Sequence, residues 1–97
     1  MKHRIVFSPE AKEDYDGFSA GMRSAVREAI NRHLVHQPSV ASRSRIKRLR
    51  GLQQPQYRLR VAEIRVFYDV IDDEVQILGI VEKRHALAWL RWKGIPS

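Results

Sequence analysis

The sequence predicts an α+β domain with the element order β-α-α-β-β-β-α, in which a mainly antiparallel four-stranded sheet carries a helical hairpin on one face. Three observations lead there. Apolar residues recur at helical spacing between Ala11 and Leu34, the period falls to two between Tyr57 and Val81, and helical character returns between His85 and Lys93. The 97 residues include no Cys, and no repeat, low-complexity stretch or linker divides them, so residues 1–97 are expected to form one domain. A domain of that length buries roughly 60–70% of its unfolded surface and needs no disulfide.

His3, Ile5 and Phe7 alternate with Arg4, Val6 and Ser8, as in a short strand. Ser8-Pro9-Glu10 then reads as a helix start, with a hydroxyl N-cap, proline at the first helical position and an acid in the first turn. Ala11, Tyr15 and Phe18 share one face of that helix, which ends between Gly17 and Gly21. Met22, Val26, Ile30 and Leu34 give a second helix that Pro38 stops, and the short link between the two makes them antiparallel. Residues 38–45 read as a connection. Tyr57, Leu59 and Val61 then alternate with Arg58 and Arg60, while Ile64, Val66, Tyr68 and Val70 alternate with Arg65, Phe67 and Asp69. A third run, Val75 to Val81, follows an Asp72-Asp73 turn, and the last helix stops at Gly94-Ile95-Pro96.

Charge is concentrated in one stretch. The net charge is +7 and the pI about 10.4. Residues 43–65 carry eight basic side chains (Arg43, Arg45, Lys47, Arg48, Arg50, Arg58, Arg60, Arg65) against Glu63 alone, whereas the chain on either side is nearly neutral. Seven of the eight are Arg, the side chain suited to phosphate geometry and base stacking, which favours a nucleic-acid partner over a merely solvated face. The longest apolar run, Ile77 to Val81, is far short of the roughly 20 residues of a membrane span, and the N-terminus lacks the apolar stretch of a secretory signal. A cytoplasmic location without membrane association is expected.

A two-residue Ala62-Glu63 turn sets Arg60 opposite Arg65, Leu59 opposite Val66 and Arg58 opposite Phe67, so Arg58, Arg60, Arg65 and Phe67 share the face away from the helices. With Asp72-Asp73 turning the next hairpin, Asp69 meets Gln76 and Arg65 meets Ile80. The same parity carries Glu82 and Arg84 onto the arginine face. Like charges set opposite each other destabilise a sheet, so converging arginines point to an anion between them. Any one of these arginines alone fits a weak surface ion pair, and only the cluster carries the signal.

The opening Phe7-Ser8-Pro9-Glu10-Ala11, the segment Arg48-Leu49-Arg50-Gly51-Leu52, the runs Tyr57-Arg58-Leu59-Arg60-Val61 and Arg65-Val66-Phe67-Tyr68-Asp69-Val70, and Ile77-Leu78-Gly79-Ile80 with basic residues after it resemble RelE/ParE-type bacterial toxins over nearly the whole chain. The resemblance is strongest in the tyrosine-basic-x-basic hairpin. It implies the toxin of a toxin–antitoxin pair, held in a hetero-oligomer with a cognate antitoxin. For the RelE branch it implies an endoribonuclease that cuts mRNA in the ribosomal A site without metal or other cofactor. Arg58 and Arg60 match the two basic positions of the hairpin, Arg65 the arginine of the next strand, and Arg84 the basic residue after the last strand. Lys47, Arg48, Arg50, Phe67 and Lys83 are the accompanying RNA-binding candidates.

The chain departs from the RelE pattern in two places. Both hairpin positions are Arg, which does not deprotonate in proteins and is a poor general base. No Tyr follows Tyr68, and His85, directly after Arg84, is the candidate proton carrier because it titrates near neutrality. His33 and His36 have no evident third ligand and make no metal site. Trp89 and Trp92 read first as packing or partner-docking residues and only second as base-stacking platforms. Two further functions compete with mRNA cleavage: inhibition of DNA gyrase by protein contacts, as in the ParE branch, and passive nucleic-acid binding. The filled arginine positions favour cleavage.

Overall fold

The structure is a computed structural model that describes residues 2–97. Strand β1 (Arg4–Phe7) leads into helix α1 (Pro9–Asp16), where the Ser8 hydroxyl accepts the Ala11 N–H and Pro9 stands at the first position. Ser19 caps α2 (Ala20–His33) in the same way, through the Met22 N–H. After a long connection come β2 (Ile46–Arg48), β3 (Leu52–Gln54), β4 (Tyr57–Val61), β5 (Ile64–Ile71) and β6 (Glu74–Glu82). A 3₁₀ turn (Lys83–His85), helix α3 (Ala86–Lys93) and a two-residue strand β7 (Ile95–Pro96) complete the chain.

The main sheet has five strands in the order β1-β6-β5-β4-β2, antiparallel except for the β1–β6 pair, and β3 pairs with β7 in a second, two-stranded sheet. The α+β class holds, and the strand count is corrected from four. The sequence conceals β2 because Ile46 is its one apolar residue, too few for alternation to register. Its place in the sheet comes from pairing: Ile46 faces Leu59 and Lys47 faces Arg58.

One face of the sheet is the core. Leu59, Val61, Ile64, Val66, Tyr68, Val75, Ile77 and Ile80 pack there against Ala11, Val26, Ile30 and Leu34 of the helical hairpin. The Tyr68 hydroxyl is buried and donates to the Pro38 carbonyl at 2.7 Å, tying the connection after α2 to the centre of the sheet. Desolvation, with the neighbouring Tyr57 second, holds the Tyr68 phenol above its ordinary pKa.

The last helix stands apart from the helical hairpin. Trp89 of α3 stacks on Phe67, with centroids 4.7 Å apart and planes 8° apart, and Phe67 lies outside the core cluster. A Cβ at Gly79 would collide with the same indole, so the strand approaches α3 without a side chain between. Helix α3 therefore packs on the face opposite α1 and α2.

Candidate active site and basic face

The β4–β5 hairpin forms in the expected register: Val61 faces Ile64, Arg60 faces Arg65, Leu59 faces Val66 and Arg58 faces Phe67. Ala62 takes a positive φ of 52° in the tight turn. Adding β2 places Lys47 beside Arg58, so Lys47, Arg58, Arg60 and Arg65 occupy adjacent same-face positions on three strands. Neighbouring strands lie about 4.8 Å apart, close enough for these charges to act on one another.

Each arginine of this strip is held differently. Arg65 is buried, and its NH1 donates to the Ala62 carbonyl at 2.8 Å and to the Ile64 carbonyl at 3.0 Å, which anchors one arm of the fork to the hairpin turn. Arg60 is exposed. Arg58 is half-buried, and its Nε is a buried donor with no hydrogen-bond partner. Desolvation, then Arg65, then Arg60, push its guanidinium below its ordinary pKa, although it stays charged. Among the described residues the ion pairs use Arg4, Lys12, Arg32 and Arg84, and none involves the strip. Asp69, the acid on this face of β5, is taken by the Gln54 amide and the Gln56 N–H, each at 2.8 Å. The strip is thus a cationic patch, buried at Arg65 and exposed at Arg60, without a protein counter-ion among the described residues.

Next to it, Arg43, Lys47, Arg48, Arg50 and Arg58 line a cleft of about 540 Å³ that has no acidic residue on its walls. Arg48 lies over the Tyr57 ring at 5.1 Å, a cation–π contact that fixes its stem. Lys47, Arg48 and Arg50 are accordingly brought together with Arg58. The sequence reading omitted Arg43 from this wall, because Arg43 lies in the bend before β2, where no strand period assigns a side chain to a face.

The remaining candidates lie elsewhere. The β5–β6 register shifts between Phe67 and Tyr68: Tyr68 faces Ile77 but Phe67 faces Gly79, leaving Leu78 as an extra residue. Asp69 meets Gln76 as expected, but Arg65 meets Val81 rather than Ile80, and Glu82 meets Ile64. Parity beyond the bulge is reversed, so the expected placement of Glu82 and Arg84 on the arginine face is corrected. The bulge is held from outside the strand, where the Asp14 carboxylate of α1 accepts the Ile80 N–H at 3.0 Å. Arg84 pairs with Glu82 at 3.5 Å and, with Lys83 and Glu63, lines an open rim beside the hairpin turn. His85 is exposed at the end of the 3₁₀ turn, where α3 begins. Phe67 is 1% exposed beneath Trp89, so its ring offers no free surface for a base.

No helix among the described residues is long and apolar enough to cross a membrane. No family model matches the chain, and no curated protein does. Solved structures do match. A chain of the RelBE2 toxin–antitoxin complex from Mycobacterium tuberculosis is similar at 21% identity and a TM-score of 0.72, over 84% of this chain and 99% of that one. The toxin RelE of Escherichia coli matches at 17% identity and 0.71, over 92% of both chains. YoeB of Staphylococcus aureus matches at 25% identity and 0.59, over 81% of this chain and 94% of its own. The fold is that of RelE-type toxins.

Proposed function

We propose that this protein is the toxin of a type II toxin–antitoxin pair and a ribosome-dependent mRNA endoribonuclease. The observation that carries the reading is the arginine strip: Arg58, with a buried unpaired Nε–H, beside Arg60 and the anchored Arg65. Cleavage by transesterification has three requirements. The RNA 2′-hydroxyl loses its proton and its oxygen bonds to the adjacent phosphorus; the phosphorane dianion is stabilised; the bond to the 5′-oxygen breaks and that oxygen takes a proton. Stabilising the dianion needs fixed donors that reorganise little as charge develops, which is what the strip supplies. Arg58, Arg60 and Arg65 are assigned to the non-bridging phosphoryl oxygens, and Arg84 to the same charge from the rim. His85 is the proton carrier. Lys47, Arg48, Arg50 and Lys83 hold the strand through its other phosphates.

An acidic antitoxin segment is the matching inhibitor, because the surface that binds RNA attracts carboxylates as well. Inhibition should weaken as salt rises. The RelBE2 structure is of a toxin–antitoxin complex, and the similarity of fold supports the same kind of partner here. The same-fold alternative, gyrase inhibition, has no need of an unpaired arginine strip.

The test is translation in a reconstituted system in which message integrity and DNA supercoiling are followed together. Message cut only when ribosomes are present supports the reading. Intact message with lost supercoiling activity moves the assignment to gyrase. On a message carrying a phosphorothioate at the scissile position, the rate should be insensitive to the thiophilicity of the added metal, since arginines stand where a metal would act.

A further inference from the structure

We propose that the cleft between the C-terminal end of α2 and the turn entering β2 is a second phosphate-binding site, taking a backbone phosphodiester of a nucleic-acid strand. Arg32 and Arg45 would supply permanent charge there, and His33 and His36 two imidazoles beside it. The cleft measures about 270 Å³, and the charged or titratable side chains lining it are these four. Its other walls are Gln37, Val40, Ser42 and Ile46. The Ser42 hydroxyl accepts the Arg45 and Ile46 N–H groups, each at 3.0 Å, which folds the turn and leaves the hydroxyl proton free to donate.

Two features set the occupant. Ser42 and Ile46 also line the basic cleft of Arg43, Lys47, Arg48, Arg50 and Arg58, so the two cavities adjoin across the edge of β2. A single strand lying over Arg58 can place a neighbouring phosphate among the histidines. The cations also act on one another: burial, then Arg45, then Arg32, lower the His33 pKa, and an anion between them relieves that repulsion. Two groups oppose binding. Glu28, one turn earlier in α2, reaches Arg32 at 3.4 Å, but the pair is exposed and screened. The end of α2 contributes about half a negative charge, less than the two guanidiniums offset.

The site is probed by following histidine imidazole resonances of the whole protein while titrating inorganic phosphate or a short thymidine oligodeoxynucleotide, between about pH 5.5 and 8. Diesters keep their charge over this range, and DNA lacks the 2′-hydroxyl, so no cleavage intervenes. The oligonucleotide should shift the His33 and His36 resonances, raise the His33 titration midpoint by linkage, and bind about tenfold tighter at the acidic end. The double variant Arg32→Gln/Arg45→Gln should lose these shifts while its His3 and His85 resonances stay those of the folded protein. Shifts with phosphate but not with the oligonucleotide would mark a free-anion pocket and overturn the nucleic-acid assignment. No shift with either probe overturns the site. Message cleavage is not a readout, so the outcome is independent of the ribonuclease reading.

Discussion

Trp89 lies flat on Phe67, 4.7 Å between ring centroids, and this one stack fixes the C-terminal helix to the face of the sheet that carries the arginines. The stack exists because Gly79 leaves room for the indole. Replacing that glycine is the mildest way to undo it. Gly79→Ala should lose about 2 kcal/mol, combining the aromatic pair with the burial it gives up. Tryptophan fluorescence should shift to the red while far-UV dichroism of the sheet is kept. An unchanged spectrum would mean that α3 accommodates the methyl by sliding.

At Arg58 stability and the proposed chemistry conflict. Its Nε–H is buried without an acceptor and two further guanidiniums stand beside it, so the folded protein carries an uncompensated cost. Arg58→Met keeps the stem and removes the charge. It should raise the unfolding free energy by about 1 kcal/mol in urea titration and abolish cleavage. A variant both less stable and inactive would show that the guanidinium is held by a partner in solution.

Tyr68 and His33 each give folding a pH dependence, of opposite sign. The Tyr68 phenol has a raised pKa in the folded state, so the unfolded chain loses its proton first, and stability falls as pH rises above about 10. Tyr68→Phe should remove that alkaline limb and, through the lost bond to Pro38, cost about 1 kcal/mol at neutral pH. His33 has the opposite sign of shift. The unfolded chain takes up its proton first, so stability falls as pH drops below about 6.5, and His33→Asn should flatten that slope in chemical denaturation at a series of pH values.

How legible the site was in the sequence follows from the kind of signal each part gives. The hairpin register was readable because Tyr57, Leu59, Val61, Ile64 and Val66 alternate without interruption around a two-residue turn, and a slip would bury arginines in the core. The bulge at Leu78 was not readable. It depends on Asp14, far away in sequence, supplying an acceptor for the Ile80 N–H, and no local pattern announces it. Because parity reverses there, everything inferred past residue 78 inherited the wrong face, Arg84 included. Phe67 failed for a related reason: alternation told which face it occupies but not that Trp89 covers that face.

Arg84 lines the rim and His85 ends the adjoining 3₁₀ turn, both outside the strip, so their substitutions are expected to differ from those within it. Arg84→Ala should lower single-turnover cleavage by about tenfold, less than loss of a strip arginine. His85→Gln should erase the limb of the pH–rate profile near neutrality if that imidazole moves a proton. A profile unchanged in His85→Gln would assign proton transfer to the ribosome or to solvent.

On the proposed function, substitution of Arg65 should separate transition-state stabilisation from binding most sharply, because its NH1 is committed to the Ala62 and Ile64 carbonyls and that anchor restricts the rest of the guanidinium. Arg65→Ala should reduce single-turnover cleavage by about 10²–10³, the range for removing one preorganised donor, with ribosome affinity nearly intact. Arg65→Lys keeps the charge but cannot hold two turn carbonyls and still present a planar fork, so it should recover little of the rate. Lys47→Ala and Arg48→Ala should instead weaken ribosome binding and reduce its salt dependence, as phosphate-positioning contacts do. Full activity in Arg65→Lys would reduce the role of this position to simple charge, and full activity in Arg65→Ala, with toxicity kept, would move the function to gyrase inhibition or passive binding.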